Sequence, residues 1–279
     1  MTEHTGRISY EPTEGLSYKP GDRHYWDQSA LQREITRVFE ICSGCRMCFK
    51  YCDSFPSLFQ LLDERHEGDV TRLTAGETST IMDACFQCKL CEVQCPYTPR
   101  DNHRFQLDFP KLVHRFKAQR TRKQGLTLRD RILGNPDAAG FMARASFGIA
   151  NLMNRFPLQR WVMEKVLGIH RKKQLPEFAS STFERWAGSQ GLIREDKSNC
   201  EAVLFQTCYV QNNEPEIGRD TVEVFRKNQV RLQCEKGLEC CGMPRWEAGD
   251  LDGLQAQAKR NIEKLLPYVE QGAKIVAIN

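Results

Sequence analysis

No stretch of this 279-residue chain approaches the roughly 18 consecutive apolar residues that a membrane-spanning helix needs, so no bilayer-crossing segment is expected. The amino terminus, Met-Thr-Glu-His-Thr-Gly, has no basic stretch followed by an apolar one, and no secretory signal is read there. No Gly-rich phosphate loop or dinucleotide fingerprint occurs. Without a flavin or nicotinamide site of those types, any redox chemistry must draw its electrons from another subunit. The six histidines (4, 24, 66, 103, 114 and 170) show no ligand spacing to one another or to the cysteines, so no metal role is assigned to them. What remains is an ordinary composition, 40% apolar, with room for about two domains.

Cysteine is what the chain has in quantity, with thirteen residues. Eight of them form two runs, Cys42, Cys45, Cys48, Cys52 and Cys85, Cys88, Cys91, Cys95, each spaced C-x₂-C-x₂-C-x₃-C. Three thiolates at that interval point inward from one tight coil around a cubane cluster, and the fourth is carried away to the other cluster of the pair. The spacing therefore predicts one [4Fe–4S] cluster on Cys42, Cys45, Cys48 and Cys95, and a second on Cys85, Cys88, Cys91 and Cys52. The competing reading is zinc. Structural zinc typically takes two C-x₂₋₄-C pairs and has no need of a third cysteine at the same interval, twice over. A disulfide framework would call for denser cysteine and an oxidising compartment. Pro96 follows the second run as in bacterial ferredoxins, but Asp53 stands where the first run would have proline. A carboxylate facing a cluster there would lower its potential.

Residues 1–26 show no periodicity and read as an extended arm. From Asp27 a helix is expected, opened by a capping box at Ser29 to Gln32 and carrying Leu31, Ile35, Val38 and Cys42 on one face. The 32 residues between Cys52 and Cys85 are too many for a compact small ferredoxin. They suit inserted helices, resembling the α-helical ferredoxin domain of succinate dehydrogenase iron–sulfur subunits, and 27–110 is read as such a domain. Asp63 to Gly68 and Thr74 to Glu77 are read as turns. Residues 111–199 are read as a basic and amphipathic helical linker: one basic helix over 103–134, an apolar-rich helical stretch over 137–170 broken at Pro157, and a linker with aromatic anchors Phe178, Phe183 and Trp186. Between Arg100 and Gly134 ten Lys/Arg face three Asp. A solvated helix face is the first reading of that charge, a docking surface for an acidic redox partner the second. Nucleic acid ranks last, because no nucleic-acid module is present.

After Cys200 strands alternate with helices: 202–205, 230–233 and 274–278 extended, 214–228 and 249–272 helical. That order implies a parallel sheet. Cys208 follows its first strand and Cys240-Cys241-Gly242 its second, so the three sulfurs can converge at the carboxyl ends of the strands, where sites of such sheets lie. The bland alternative is buried structural thiols. The fold class expected for the whole chain is α+β: an all-α dicluster ferredoxin domain, a helical linker, and a partial α/β module over 200–279.

The run from Cys208 to Gly218, the run Cys240-Cys241-Gly242-Met243-Pro244 and the run Arg260 to Tyr268 resemble the first cysteine-rich "CCG" module of heterodisulfide-reductase-related proteins, among them the iron–sulfur C subunits of anaerobic glycerol-3-phosphate dehydrogenase. The resemblance covers about residues 27–279. It implies a dicluster domain followed by CCG modules that hold a non-cubane iron–sulfur cluster or, in some relatives, zinc; here Cys208, Cys240 and Cys241 would be the partial ligand set. A complete module has a further cysteine after the next strand, and two modules are usual. The chain stops on that strand, and on this reading it is truncated at its C-terminus. Cys200 and Cys234 match no ligand position and are read as structural thiols.

The function expected is an iron–sulfur electron-transfer subunit of an oxidoreductase. It would relay electrons from a dehydrogenase partner, flavoprotein-type or another redox subunit, toward the CCG site and a quinone or thiol/disulfide acceptor. A non-catalytic redox sensor and a zinc-bearing scaffold are the rival class. The location expected is the cytoplasm or the cytosolic face of a membrane, reached through a partner or through the 141–170 helix lying in the interface. A linker packed on the domains is the more economical account of that helix.

Overall fold

The computed structural model describes residues 8–278; the first seven residues of the expected arm, with His4, lie outside them. The chain is α+β and separates into two compact units. One runs to Gly125 and includes 247–250; the other comprises 126–246 and the residues from Leu251 onward.

The first unit is helical: α1 Gln28–Cys45, α2 Ser54–Arg65, α3 Ala75–Asp83, the short α4 Leu90–Gln94 and α5 Phe109–Gln124. Its core is formed by Ile35, Val38 and Phe39 of α1, Leu58 and Leu62 of α2, Ile81 and Met82 of α3, and Leu112 and Val113 of α5. Helix α1 is opened by Asp27, whose carboxylate accepts from the Ala30 amide at 2.8 Å, two residues before the expected Ser29 box. A carboxylate is the stronger acceptor, and it complements the helix N-terminus. The capping box lies instead at Thr74, a position read as a turn: Thr74 Oγ1 accepts from the Glu77 amide and Glu77 returns the bond to the Thr74 amide.

Two buried ionic groups tie residues 8–26 to these helices. Arg37 and Glu34, 1% and 0% exposed, pair on one face of α1 at 2.6 Å. Arg37 Nη1 donates to the Tyr10 and Phe105 carbonyls at 2.8 and 2.9 Å, and Glu34 Oε1 accepts from the Thr13 amide. From α5, Arg115 donates to the carbonyls of Tyr25, Gly15 and His24. The described part of the arm is therefore packed. Gly15 permits it, since a Cβ there would stand 2.6 Å from the Cβ of Ala30.

The expected 103–134 helix is two helices. Gly125, at φ +76°, ends α5, and Thr127 caps α6 Leu128–Leu133 by accepting from the Asp130 amide. Nor do its charges form one solvated face: Arg115 and Lys117 point into the first unit, and Arg120 is clamped by Asp83 through two bonds of 2.7 Å.

His114 is buried in α5, with its Nδ1 3.0 Å from the Tyr25 hydroxyl. Burial pushes its pKa down from 6.5 to about 4. With the folded value below the unfolded one, the stabilisation is complete above pH 6.5 and is lost as the pH falls toward 4. The loss should approach about 3 kcal/mol across that window. Denaturant unfolding at pH 7 and pH 4.5 checks it: the stability difference between wild type and His114→Gln should shrink at the lower pH. A constant difference would count against the assignment.

In the second unit, α7 Pro136–Ala145, α8 Ile149–Met153, α9 Pro157–Leu167 and α10 Phe183–Ser189 precede the sheet. Strand β1 Ala202–Phe205 is followed by α11 Cys208–Asn212, α12 Pro215–Lys227, β2 Leu232–Cys234, α13 Met243–Ala248, α14 Leu251–Glu270 and β3 Lys274–Ala277. The sheet is parallel in the order β2-β1-β3, with Leu204 opposite Cys234 and Val276. Side chains alternate across it. Ala202 and Leu204 pack with Val222 and Phe225 of α12 on one face, and Val203 packs with Leu265 and Tyr268 of α14 on the other. Pro157, expected as a break, starts α9 at its first position, where its missing N–H costs nothing. The aromatic anchors read as linker include α10. Phe183 is fully buried in the sheet core and packs against α12 at Gly218, where a Cβ would stand 2.5 Å from the ring.

Candidate functional site

The two cysteine runs share a left-handed residue after their second cysteine, although Cys42 and Cys45 are helical while Cys85 and Cys88 are not. Cys42 and Cys45 sit in the last turn of α1; Arg46 ends it in the left-handed region at φ +54°, its amide bonded to the Cys42 carbonyl. Lys89, at the matching place after Cys88, has φ +61° and starts α4, which carries Cys91. The repeated spacing thus corresponds to a repeated backbone reversal. The two loops touch: the Cys48 sulfur is 4.0 Å from the Cys91 carbonyl, and the Tyr51 hydroxyl donates to Gln94 Oε1 at 3.2 Å.

A cavity in the first unit is lined by Cys42, Cys45, Cys48 and Cys95, with walls from Ile41, Phe55, Phe59 and Leu107. The fourth sulfur comes from the other run. Burial pushes the Cys42 thiol well up, and Cys95 is the sulfur that adds most to the shift. Cys48 is pushed up to about 11 by burial, then by Cys95 and Cys45. In the second set, burial raises Cys91, and Cys48, Cys85, Cys52 and Cys88 raise it further; Cys85 rises through burial and through Cys52 and Cys88. As bare groups these sulfurs resist ionisation, because each thiolate would be desolvated beside others. Iron reverses that balance, since a coordinated thiol is deprotonated outright. Among the described residues no three His, Cys, Asp or Glu side chains converge as ligands of a single metal ion do. The first four sulfurs surround a volume instead, and a dry apolar cavity walled by four thiols fits a cluster held at its corners.

Other groups that the motif spacing does not single out reach these sulfurs. Burial and the neighbouring Cys45 and Cys95 sulfurs make the Tyr97 phenol harder to ionise. Gln87 Nε2 lies 3.6 Å from the Cys85 sulfur, and Lys117 Nζ is 3.4 Å from the Cys85 carbonyl. Gln87 and Tyr97 are near neighbours of cysteines in sequence and could have been suspected. Lys117, 32 residues from Cys85, carries no such signal. Asp53 is exposed at the start of α2 and its side chain caps nothing, so solvent screens whatever it does to a potential.

In the second unit, the loops after β1 and β2 bring Cys208 and Cys240 together, sulfur to sulfur, at 3.6 Å. Cys208 follows the capping residue Thr207, which holds the start of α11 by accepting from the Val210 amide. A bond from the Cys240 thiol pulls the Cys208 pKa down and pushes Cys240 up to about 11; Cys241 is raised by donating to Cys240 in turn. The backbone that carries them is fixed from two sides. Asp137 of α7 accepts from the Cys240 amide at 2.8 Å, and Asn261 of α14 donates to the Cys240 carbonyl at 3.3 Å. Asn212, 2% exposed, donates to Asp137 and accepts from Arg144 at 2.6 Å. Asp137 and Arg144 lie in the stretch read as linker, where an acid at a helix start signals only a cap. Cys200 and Cys234 are both buried and stand apart from this trio in the packing of the sheet.

Two segments of the chain match known protein families. Residues 41–98 match the 4Fe-4S dicluster domain and residues 202–279 a cysteine-rich domain, CCG. The chain is 26% identical over 152 residues to the C subunit of anaerobic glycerol-3-phosphate dehydrogenase from Escherichia coli strain K12, a match covering 54% of this chain and 38% of that protein. It is 31% identical over 82 residues to citrate utilization protein B of Escherichia coli, covering 29% of this chain and 19% of that one. With lactate utilization protein A of Bacillus thuringiensis strain Al Hakam it shares 30% over 63 residues, 23% of this chain and 26% of the relative. No solved structure matches the chain. This protein thus joins a 4Fe-4S dicluster domain to a cysteine-rich CCG domain, and over about half its length it is homologous to the C subunit of anaerobic glycerol-3-phosphate dehydrogenase.

Proposed function

We propose that the chain is an iron–sulfur electron-transfer subunit of a dehydrogenase-type complex, relaying electrons through two [4Fe–4S] clusters toward the CCG site. The observation that carries this reading is that Cys95, from the second run, lines the cavity of Cys42, Cys45 and Cys48, which is what an exchange of fourth ligands between the runs would require. Such an exchange locks two sites side by side, as a relay needs. Bound there, cubane clusters supply one-electron transfer. The chain's own part is to hold them on two matched backbone reversals, to exclude water with Phe55, Phe59 and Leu107, and to bond the Cys85 sulfur through Gln87. Cys208, Cys240 and Cys241 would hold the group of the CCG site. A flavoprotein dehydrogenase as donor is favoured because no nucleotide fingerprint is present in the sequence, and a quinone or a thiol/disulfide is the acceptor type proposed. Anaerobically prepared protein should contain about eight iron and eight sulfide per chain at the two cubane sites and show two interacting S = 1/2 EPR signals on reduction. Stoichiometric zinc in place of iron, or a single oxidatively labile cluster, would favour the scaffold or the sensor instead.

A second observation bears on location. No described helix is long and apolar enough to cross a membrane. Yet helices α6 to α9 expose Leu128, Phe141, Phe147, Ile149, Leu158 and Trp161, with Phe147 94% exposed, and within α7 to α9 only Gly140, Ala143 and Arg160 are buried. Helix α7 packs through Gly140 and Ala143, while most of the apolar side chains of the stretch stay exposed. Arg129, Arg131, Arg155 and Lys165 flank these side chains. An apolar surface with basic flanks suits an anionic membrane interface on the cytosolic side. The protein should co-sediment with vesicles containing phosphatidylglycerol, and Phe147→Asp with Leu158→Asp should release it several-fold. Equal sedimentation with and without vesicles would rule the surface out as a lipid contact.

A further inference from the structure

We infer that Lys117 and Gln87 set the two clusters at different potentials, making the one held through Cys85 the easier to reduce. This rests on the cluster reading above and adds an order to it. Gln87 is 5% exposed and held at φ +55°. Its side-chain amide is shared between the Cys85 sulfur at 3.6 Å and the Pro110 carbonyl at 3.2 Å. Lys117 reaches the same residue from the middle of α5. It is 9% exposed, with its ammonium 3.4 Å from the Cys85 carbonyl. Lysine is seldom buried to this degree without a purpose for its charge. The acid that senses Lys117 is Glu247, whose carboxyl is made harder to ionise by burial and easier by the lysine.

The first cavity is arranged differently. The cation lining it, Arg46, is half-exposed and already committed to Asp63 through bonds of 2.7 and 2.6 Å. Arg100, the cation that acts on Cys95, is likewise half-exposed and paired with Asp101, and among the described residues no buried cation lines this cavity. Reduction adds one negative charge to a cluster. Donors to its sulfurs and a nearby buried cation favour the reduced form, and burial leaves the cation poorly screened. The charge asymmetry therefore directs the electron to the Cys85 side. Lys117 and Gln87 are positioning residues: they act through Cys85.

The test is an EPR-monitored redox titration of the full reconstituted chain. Lys117→Met should lower the reduced-to-oxidised ratio of one signal about tenfold at fixed ambient potential, ~59 mV for a one-electron couple, and move the other far less. The affected signal should be the one missing from Cys52→Ala. Lys117→Arg should restore it, Gln87→Leu should shift the same signal in the same direction, and Lys111→Met, whose side chain is half-exposed on Asp108, should shift neither. Equal shifts of both signals, or no shift, overturn the inference while leaving the two-cluster reading intact. A wild-type protein without two reducible clusters would remove that reading first, and this one with it. Iron content and far-UV circular dichroism of each variant keep a folding defect from passing as a tuning effect.

Discussion

Cys95→Ala is expected to destroy the cluster of the first run, not the cluster of the run in which Cys95 stands. Cys95 lines the cavity of Cys42, Cys45 and Cys48, and its sulfur is the one that most strongly opposes ionisation of Cys42. Cys52→Ala should have the mirror effect, because the matching spacing of the two runs hands the fourth cysteine of the first run to the cluster of the second. Each variant should retain about four of eight irons and one EPR signal in place of two. The decisive arm combines changes. Cys95→Ala with Cys45→Ala should lose no more iron than either alone, since both ligate one cluster. Cys95→Ala with Cys88→Ala should lose nearly all of it, although those two cysteines belong to one run. If iron loss follows the runs, the exchange of fourth ligands is wrong, and with it the close side-by-side placement that a relay requires.

Arg37→Met should destabilise the first unit by about 3–5 kcal/mol, the cost typical of leaving one member of a buried ion pair alone. Glu34 is wholly buried, and its carboxylate receives three of its bonds from this guanidinium. The change also strips two carbonyls, Tyr10 and Phe105, of their donor. The double variant Glu34→Leu with Arg37→Met should cost markedly less than the single one, because it leaves no uncompensated charge. Urea unfolding followed by far-UV circular dichroism reads both. Additive losses would mean that the pair is not coupled as its geometry requires. A large loss here would also release the segment that Arg37 and Glu34 hold against α1.

The parts of this protein that are legible in the sequence share a local cause. Two identical cysteine spacings each carry a left-handed residue after the second cysteine, and the sulfurs they present are named by the spacing itself. Apolar periodicity places the strands and the two long helices of the cysteine-rich unit within about two residues. Sequence and structure part where two local signals compete. Asp27 outcompetes Ser29 as a cap, and Thr74 to Glu77 carry a capping box where residue type alone suggests a turn. Gly125 divides a helix that charge pattern alone joins.

Charge is the least legible property. Ten cations over 35 residues look like a surface. Folding turns Arg115 and Lys117 inward, because carbonyls of the arm and of the Cys85 loop lie where they can accept. Burial of a polar group depends on partners distant in sequence: Arg115 meets Gly15 across 100 residues, and Asp137 meets Cys240 across 103. The same holds for the apolar helices after residue 128, whose hydropathy predicts a packed face and most of whose large apolar side chains stay exposed. Motif spacing acts within one coil or one strand, and so the sequence alone could name the sulfurs. Which charges, amides and acids surround those sulfurs is set by contacts between segments far apart along the chain, and only the folded structure brings them within a hydrogen bond of one another.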